Sequence, residues 1–306
     1  MNTGKGNSIF CASLALLFGV LSLRAESFLD VMWKRPVVLR EGVTLRAYAL
    51  DAPRTMKAYV VRVDLTAPGI GFTVTERDPH WGDPIPGVKD PRVVVGTRRE
   101  KTIDFMKRRC AAGQNVEIAV NASPWRPFPP PKGNVYADPK RWNVSDGVEI
   151  SHIRRVGKGH LFVVRRDGTA EITASVPLSK TNEVAYAVGG HNLIMTNGVC
   201  RYAHDQKNLH PRTAFGLTAD RKTLVLLAVD GRQPGYSEGA DLADLCDILR
   251  REGATDAVNM DGGGSTSLVI RDPASGEPLM LNRHAQNYMR EVAVNFGITF
   301  KRKEER

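Results

Sequence analysis

Alternating apolar and polar positions dominate the N-terminal part of the chain. Between residues 37 and 74, stretches such as residues 44–50 and 58–65 place apolar side chains at nearly every second position. A period of two is typical of strands that bury one face. Pro53 and Pro68 interrupt these stretches. The pattern therefore predicts antiparallel strands joined by turns.

Helical periodicity appears after residue 100. Ile103, Met106 and Cys110 recur at i, i+3 and i+7, which places them on one face of a helix. Thr97 and Glu100 have the Ser/Thr-x-x-Glu spacing of a capping box. We predict a helix that begins at this signal and extends to about residue 112.

A buried strand and a proline-rich loop follow this helix. Residues 116–120 are apolar enough for a buried strand, and residues 121–131 contain five prolines. Because proline lacks a backbone N–H group, this stretch cannot continue a strand ladder. We predict a loop over the sheet edge in which Trp125 and Phe128 have either a packing or a substrate-covering role.

Turn signals divide the next part of the chain into short apolar runs. The dipeptides Asp146-Gly147, Asp167-Gly168 and Asn197-Gly198 separate these runs. Such dipeptides favour tight β-hairpin turns, so we predict hairpins at all three positions.

A strand, a helix and a second strand form the clearest unit of the C-terminal half. The apolar run 224–229 ends in Asp230, the pattern over residues 240–252 is that of an amphipathic helix, and a second apolar run ends before Asp261. This sequence of elements fits a crossover connection, right-handed if both strands are parallel in one sheet. With a final strand over residues 291–300, the chain is predicted to have an α+β fold, with a mixed, largely antiparallel sheet, a few packed helices and one strand-helix-strand crossover.

The N-terminus has the pattern of a secretory signal. Lys5 precedes an apolar stretch over residues 9–23, and a cut after Ala25 fits the small-residue preference. We therefore predict a signal peptide over residues 1–25 and a single domain over residues 26–306, with an uncleaved anchor as the alternative. Cys11 lies within the apolar stretch and lacks a lipidation context.

Basic residues outnumber acidic residues throughout the chain. The formal charge of +10 includes Lys5 and Arg24, so the predicted mature chain of 281 residues carries +8. This surplus is compatible with anionic substrates or an anionic envelope surface. Basic residues interleaved with aromatics would indicate nucleic-acid binding, and the sequence shows no such motif.

Three cysteines remain after the predicted signal peptide. Cys110, Cys200 and Cys246 show neither the spacing of a zinc site nor that of a disulfide framework. Cys110 and Cys246 fall at apolar positions of predicted helices, which favours buried thiols. One disulfide with one free thiol is the alternative.

Candidate chemistry centres on three consecutive glycines after Asp261. Glycine permits positive φ and close approach of a ligand to the backbone, and successive N–H groups around such a turn can attract an anion. A simple hairpin tip is the structural alternative. Asp230-Gly231 ends the other strand of the crossover in a similar way, which suggests that the two strands deliver their aspartates to one site.

Ordered motifs around these aspartates resemble the phosphodiester glycosidase family. The similarity is densest over residues 210–269, where Arg-Thr-Ala, Val-Asp-Gly-Arg-Gln-Pro-Gly, a leucine-rich helix and Asn-x-Asp-Gly-Gly-Gly-Ser-Thr occur in order. It extends more weakly over residues 121–290. Residues 26–100 carry little resemblance, and residues 101–306 are predicted to form the core of the domain.

The resemblance implies hydrolysis of the bond between a sugar anomeric carbon and a phosphodiester oxygen. It makes Asp261 the first candidate for the carboxylate at the reacting carbon, with Asp230 second. Arg212 and Arg290 suit phosphate, because guanidinium groups bind it through paired donors. The complete set of implied substrate-binding residues is Asn121, His210, Arg212, Arg232, Asn259, Gly262, Gly263, Gly264, Ser265 and Arg290. The pattern requires no cofactor, although a divalent cation near the paired aspartates is compatible with it.

Competing interpretations stay open at this stage. A metal-assisted phosphodiesterase would cut the P–O bond instead, and a non-catalytic protein would only bind envelope glycans. Arg212 could cover the sheet edge, Asp230 could cap its own turn, and Asn121 and Asn259 could form turns. Histidines such as His191 show no metal-ligand spacing.

Overall fold

A computed structural model describes residue 1, residues 27–152 and residues 157–301 of the chain. The predicted signal peptide and Cys11 lie outside the described residues. Within the described part, no helix has the length and apolar character needed to cross a membrane.

The described chain folds mainly into strands, with three α-helices. The helices are α1 (Phe28–Val31), α2 (Thr102–Ala111) and α3 (Leu242–Arg251). The strands are β1 (Val37–Arg40), β2 (Val43–Leu50), β3 (Met56–Asp64), β4 (Ile70–Val74), β5 (Thr97–Arg98), β6 (Val116–Asn121), β7 (Trp125–Arg126), β8 (Tyr136–Pro139), β9 (Val144–Ser145), β10 (Val148–Glu149), β11 (Lys158–Arg165), β12 (Ala170–Ser175), β13 (Val184–Gly190), β14 (Asn192–Thr196), β15 (Val199–Cys200), β16 (Arg212–Thr218), β17 (Thr223–Val229), β18 (Ala254–Asn259), β19 (Leu268–Arg271), β20 (Pro278–Met280) and β21 (Asn295–Phe300). Short 3-10 turns lie at Leu178–Glu183 and Gly263–Ser265.

Four sheets contain these strands. The largest has the order β1-β2-β3-β17-β16-β18-β14-β15, and two five-stranded sheets have the orders β10-β9-β13-β11-β12 and β20-β19-β6-β21-β4. A small sheet joins β5, β8 and β7. Neighbouring strands in these sheets pair antiparallel, for example β2 with β3 and β6 with β21. The predicted α+β class is therefore confirmed, as are the hairpins at the three Asp-Gly and Asn-Gly turns.

The predicted crossover is present, with one additional strand inside it. Both β17 and β18 pair antiparallel with β16, which lies between them, so β17 and β18 point in the same direction. Helix α3 connects them and starts with a reciprocal cap in which Asp241 and Asp244 each accept from the other's backbone N–H group. Its apolar face, which includes Leu245 and Leu249, packs on the large sheet.

The main core lies between the three larger sheets. Phe162 of β11, Phe215 of β16 and Phe296 of β21 each come from a different sheet, and their ring centroids lie 5.4 to 5.7 Å apart. Burial of a phenylalanine side chain contributes about 1.5–3 kcal/mol, so these rings are a substantial part of what holds the sheets together. Helix α2 covers the opposite face of the β6 sheet through Phe105 and Met106.

The predicted capping box of α2 is wrong. Thr97 lies in β5, and the backbone of Glu100 pairs with Val292, so neither residue is available to cap a helix. The helix instead begins at Thr102, with Lys101 as a cap residue that makes no side-chain cap hydrogen bond. Strand pairing has overridden a local signal here.

The cysteine prediction also needs correction. Cys200 of β15 and Cys246 of α3 form a disulfide, and the partly buried Cys110 is free. The bond links the crossover helix to the edge of the large sheet on which it packs. The apolar helix position of Cys246 is compatible with a disulfide as well as with a buried thiol, and the sequence spacing does not show that Cys200 lies next to it.

Replacing Cys200 and Cys246 together by serine is expected to reduce the free energy of unfolding by roughly 2–4 kcal/mol, because the bond closes a long loop in the unfolded chain. The two cysteines are 46 residues apart. Urea denaturation of the oxidised wild type and the double variant measures the difference. Cys110→Ser is the matched control and should shift the midpoint little. Equal midpoints for the wild type and the double variant would contradict the prediction.

Candidate active site

Strand ends from two sheets converge at one place in the fold. In the large sheet, Arg212 at the start of β16 lies opposite Val229 at the end of β17, and Ala214 lies opposite Asn259 at the end of β18. The end of β6 belongs to a different sheet, yet the Asn121 side chain donates to the backbone oxygen of Asp261 at 2.8 Å. Segments that are far apart in the sequence therefore meet beside the three glycines.

An open cleft of about 350 Å³ lies at this point. Of the twelve residues predicted for the site, nine line it, namely His210, Arg212, Arg232, Asp261, Gly262, Gly263, Gly264, Ser265 and Arg290. The remaining lining residues are Pro124, Trp125, Phe128, Lys140, His191 and Met260. The structure does not place Asn121, Asp230 or Asn259 in the lining of the cleft.

Each of the three glycines lies against one arginine. A Cβ atom on Gly262 would lie 3.6 Å from the Cα atom of Arg212, one on Gly263 would lie 3.3 Å from a guanidinium nitrogen of Arg232, and one on Gly264 would lie 2.5 Å from a guanidinium nitrogen of Arg290. Gly263 also has a φ of 63°, which disfavours a side chain. The glycines thus leave room for two guanidinium groups to approach the turn.

The backbone of this turn is mostly occupied within the protein. The N–H group of Gly263 donates to Pro211, that of Ser265 donates to Gly262, and that of Thr266 donates to Gly263. These three N–H groups are engaged within the protein, so the predicted backbone seat for an anion stays a prediction for the N–H groups of Gly262 and Gly264. The side chains of Arg232 and Arg290 add positive charge beside the turn.

Asp261 is the acidic side chain that lines the cleft. Its side chain is 17% exposed, and His191 Nε2 lies 3.7 Å from its Oδ1 atom. Among the described residues, no hydrogen bond to its carboxylate is formed. The carboxylate is thus fixed from behind, through its backbone, while its oxygens face an open space.

Asn121 and Asn259 support the cleft from behind. Asn121 is fully buried, and its side-chain oxygen accepts from Thr213 Oγ and from the backbone of Ser267. The backbone oxygen of Asn259 accepts from the N–H group of His191 at 2.8 Å. Neither residue lines the cleft, so the predicted substrate contacts are not seen. Asn121 holds the backbone of Asp261 through its side chain, whereas Asn259 holds His191 only through its backbone oxygen. The side-chain oxygen of Asn259 is buried without a hydrogen-bond partner among the described residues.

His210 is an uncharged donor in this cleft. Burial and the neighbouring Arg212 and Arg232 lower the pKa of His210, so the ring is neutral at pH 7. Its Nδ1 atom lies 3.2 Å from an Arg232 guanidinium nitrogen. Because arginine stays protonated, Nδ1 accepts that bond and the ring proton is assigned to Nε2.

Arg212 is the most constrained of the three arginines. Its guanidinium group donates to the backbone oxygens of Ala240 at 3.1 Å and Asn208 at 3.0 Å. Burial and the nearby Arg232 lower its pKa, although a guanidinium keeps its charge. Arg212 therefore adds charge to the cleft and braces the sheet edge, whereas the guanidinium groups of Arg232 and Arg290 lie beside the glycine turn.

Asp230 is buried behind the cleft. It is 0% exposed, accepts from the N–H group of Arg283 at 2.9 Å, and accepts from the hydroxyls of Tyr236 and Tyr59 at 3.2 and 3.4 Å. Burial raises the pKa of Asp230 to about 6. A carboxylate enclosed in this way does not reach a reacting carbon, so we assign Asp230 a structural role in place of the predicted catalytic one.

Asp230→Asn is expected to gain stability over the wild type as the pH rises. The folded pKa of about 6 lies above the ordinary value of 3.8, so burial of this carboxyl is favourable below pH 4 and its benefit is lost by about pH 6. The difference between the two pKa values corresponds to a loss of roughly 3 kcal/mol, at about 1.4 kcal/mol per pKa unit. Asparagine can keep the hydrogen bonds without the charge. Urea denaturation of both proteins from pH 4 to pH 7 measures the difference, and a difference that does not change with pH would contradict the prediction.

Some residues of the cleft were not predicted from the sequence. His191 follows Gly189-Gly190 in the tight connection between β13 and β14, and Lys140 follows the short strand β8. A Cβ atom on Gly190 would lie 2.4 Å from the backbone oxygen of Asn259, so glycine is needed to bring His191 to the cleft. The Gly-Gly-His sequence was the available signal for this residue.

The two aromatics of the proline-rich loop have different roles. Trp125 is 5% exposed and packs, whereas Phe128 is 58% exposed, and their rings meet edge to face at 5.5 Å. Trp125 lies in the short strand β7, which corrects the predicted loop at that position, and it has the packing role. Phe128 lines the cleft, and its substrate-covering role stays a prediction.

A possible cation-binding group lies outside the lining of this cleft. Within the described residues, His204, Asp241 and Asp244 have ligand atoms within 4.8 Å of one another. The Arg54 guanidinium contacts Asp244 and lies 3.9 Å from Asp241, so it already supplies positive charge to this pair of carboxylates. Asp241 and Asp244 also cap α3. We interpret this group as a structural ion-pair cluster.

The fold and the cleft define a protein in which, among the described residues, three arginines and Lys140 line one cleft together with a single acidic side chain, that of Asp261. A family described as phosphodiester glycosidase (NAGPA) matches residues 114–299. The chain belongs to this phosphodiester glycosidase family.

Individual relatives share less than a third of their aligned residues with this chain. The SPbeta prophage-derived uncharacterized protein YomE of Bacillus subtilis (strain 168) is 29% identical over 186 residues, covering 57% of this chain and 26% of that protein. The human N-acetylglucosamine-1-phosphodiester alpha-N-acetylglucosaminidase is 26% identical over 178 residues, covering 51% of this chain and 32% of that protein. The matches thus span about a quarter to a third of these curated relatives.

Solved structures share the fold. The catalytic domain of zebrafish N-acetylglucosamine-1-phosphodiester alpha-N-acetylglucosaminidase, described as auto-inhibited by its pro-peptide, superposes with a TM-score of 0.57 at 18% identity over 85% of this chain and 82% of that chain. A hypothetical protein from Synechocystis has a TM-score of 0.57 at 13% identity over 87% of this chain and 64% of that chain.

Proposed function

We propose that this protein hydrolyses glycosyl phosphodiesters at the bond between the anomeric carbon and the bridging oxygen, releasing a sugar and a phosphomonoester. The observation that carries the proposal is the meeting of Asp261 with Arg232 and Arg290 around one glycine turn in an open cleft. Family membership and the name of the human relative support the same reaction class.

The charge of the cleft suits an anionic ester. Its lining contains Lys140 and three arginines against the single carboxylate of Asp261. A phosphodiester held by Arg232 and Arg290 can form paired, charge-assisted hydrogen bonds with both guanidinium groups. His210, as a neutral donor next to Arg232, can contact the same phosphate without an additional charge.

The reaction chemistry explains why one accessible carboxylate is enough. Most glycosidases use two carboxyl groups, one of which protonates the leaving oxygen. A departing phosphomonoester has a second pKa near 6 and leaves readily without a proton. The two arginines stabilise its growing charge, and Asp261 stabilises the positive charge that develops at the anomeric carbon. His191, held beside Asp261, lies where it can orient the attacking group.

Hydrolysis of N-acetylglucosamine 1-(methyl phosphate) tests the proposal. The donor sugar follows the name of the human relative, and parallel substrates with glucose and mannose as donors cover other sugars. Phosphorus NMR should show the diester replaced by methyl phosphate, with an equal amount of free sugar. Release of sugar 1-phosphate and methanol would show that the ester bond to the methyl group is hydrolysed instead. Binding without turnover of any of the three would overturn the enzymatic proposal.

We further propose that the protein is exported. The signal-like N-terminus and the Cys200–Cys246 disulfide both support an oxidising compartment. Mass spectrometry of the protein from its native host should find a mature chain that begins at Glu26. A chain that keeps residues 1–25 and whose cysteines are all reduced would contradict export.

A further inference from the structure

The cleft carries more positive charge than a phosphodiester needs. Its lining contains one carboxylate, that of Asp261, and four cationic side chains, namely Lys140, Arg212, Arg232 and Arg290. A phosphodiester brings one negative charge, which the two guanidinium groups beside the glycine turn can neutralise. Like charges in one cleft repel one another, so the surplus favours a ligand that carries a second negative charge.

Lys140 belongs to the side of the cleft that holds His191. The residue after it, Arg141, donates through its guanidinium group to the backbone oxygens of Gly190 at 3.2 Å and His191 at 3.5 Å. His191 in turn lies 3.7 Å from the carboxylate of Asp261. This chain of contacts places Lys140 on the Asp261 side of the cleft, whereas the two arginines that suit the phosphate lie against the glycine turn.

The backbone holds Arg141 in an unusual conformation beside His191. The φ angle of Arg141 is 72°, a value that residues with a side chain rarely adopt. A Cβ atom on Gly189 would collide with the Cβ atom of Arg141, and one on Gly159 would lie 3.2 Å from it. Two glycines therefore make room for the stem of this arginine. Local strain of this kind persists only where the surrounding structure maintains it, and it clusters at binding sites.

The cations on this side of the cleft lack an ion-pair partner among the described residues. This holds for Lys140, for Arg141 and for the exposed Arg201. Burial, followed by the charges of Arg141 and Arg201, lowers the pKa of His160, which lies opposite Gly190 in the pairing of β11 with β13. The Lys140 side of the cleft is thus a basic region whose counter-charge the described part of the protein does not supply.

We propose that Lys140, supported by the charge of Arg141, binds an anionic substituent of the sugar whose anomeric carbon reacts, such as the carboxylate of a uronic acid. The proposal rests on the proposed function, because it places the phosphate at Arg232 and Arg290 and the sugar next to Asp261. A cleft of about 350 Å³ accommodates one sugar ring with its phosphate, so a substituent of that ring lies within reach of Lys140. An ammonium group and a carboxylate form a charge-assisted hydrogen bond.

Binding of sugar 1-phosphates tests the subsite independently of turnover. Isothermal titration calorimetry should show that glucuronic acid 1-phosphate binds the wild type about tenfold more tightly than glucose 1-phosphate, as expected for one added charge-assisted contact. Lys140→Gln should bring this ratio close to one and leave the binding of glucose 1-phosphate nearly unchanged. Lys140→Arg keeps the charge and should keep the ratio. Lys132→Gln removes an exposed lysine that does not line the cleft and should not change it.

Three results bear on the subsite itself. Equal binding of the two sugars to the wild type, or a ratio that Lys140→Gln does not change, would overturn it. An equal loss of affinity for both sugars in Lys140→Gln would also overturn it, because Lys140 would then bind the phosphate on the anomeric carbon. Glucose 1,6-bisphosphate is a third probe, and a larger advantage for it that depends on Lys140 would support the subsite and identify the second anion as a phosphate.

The same measurements separate the subsite from the proposed reaction. Hydrolysis of N-acetylglucosamine 1-(methyl phosphate) without a preference for anionic sugars removes only the subsite. The preference for anionic sugars without hydrolysis of any glycosyl phosphodiester removes only the proposed reaction.

Discussion

Asp261→Asn is expected to reduce kcat for glycosyl phosphodiester hydrolysis by about 10³-fold or more, in line with the loss of a group that acts on charge in the transition state. Asparagine has the same shape but no charge to stabilise the anomeric carbon. The Asp261 side chain borders open space, and its backbone is held by Asn121 and Ala122, so the fold should be retained. Steady-state kinetics and thermal denaturation of the purified variant measure both effects.

Asp230→Asn is the matched control for this experiment. Both aspartates follow the end of a strand of the same crossover, but Asp230 is buried and lies outside the cleft lining. The control should keep kcat within about threefold of the wild type, since a residue without substrate contact has only an indirect effect. Wild-type activity of Asp261→Asn would remove Asp261 from the chemical step. A larger loss of kcat in the control would assign that step to Asp230.

Arg290→Ala is expected to reduce kcat/KM by about 10²- to 10³-fold, the range seen when a positioned donor to a developing anion is removed. The guanidinium group of Arg290 makes two long hydrogen bonds, 3.4 Å to Ser265 Oγ and 3.4 Å to Gln286, and lies over the exposed ring of Phe128, so its removal should leave the fold intact. Arg290→Lys should restore only part of the loss, because an ammonium group does not form the paired contact with phosphate.

Arg35→Ala removes an exposed arginine that does not line the cleft and is the matched control for charge. It should change kcat/KM by less than about twofold at physiological salt, because exposed charges at a distance are largely screened. A wild-type kcat/KM for Arg290→Ala would mean that the phosphate binds elsewhere, and the glycine turn would then lose its proposed role.

Local sequence signals predicted the elements of this fold better than their arrangement. The crossover was predictable because two apolar runs and an amphipathic helix lie next to one another in the sequence. The partner of β17 on its other side is β3, where Leu226 lies opposite Val61, and no local pattern shows so distant a pairing. The same reason explains the capping-box error, because Glu100 pairs with Val292 far along the chain.

In the candidate site, too, local sequence signals predicted some residues, whereas contacts between distant segments decided the others. Asp261 and its glycines were predictable because a run of glycines beside an acid has few structural uses. Asp230 has a similar local sequence, but Tyr59 from β3 and the backbone of Arg283 enclose it, and both come from distant segments. His191 was missed because its place depends on the close packing of Gly190 against Asn259.

Hydrolysis in oxygen-18 water is the most direct test of the claim that Asp261 faces an anomeric carbon while arginines hold the phosphate. Cleavage of either bond to the bridging oxygen of N-acetylglucosamine 1-(methyl phosphate) gives the same two products, so only the label identifies the broken bond. The account predicts methyl phosphate without oxygen-18, read by the isotope shift in phosphorus NMR, and labelled sugar in promptly quenched samples. Oxygen-18 in the methyl phosphate would show that water attacks phosphorus, which would contradict the account.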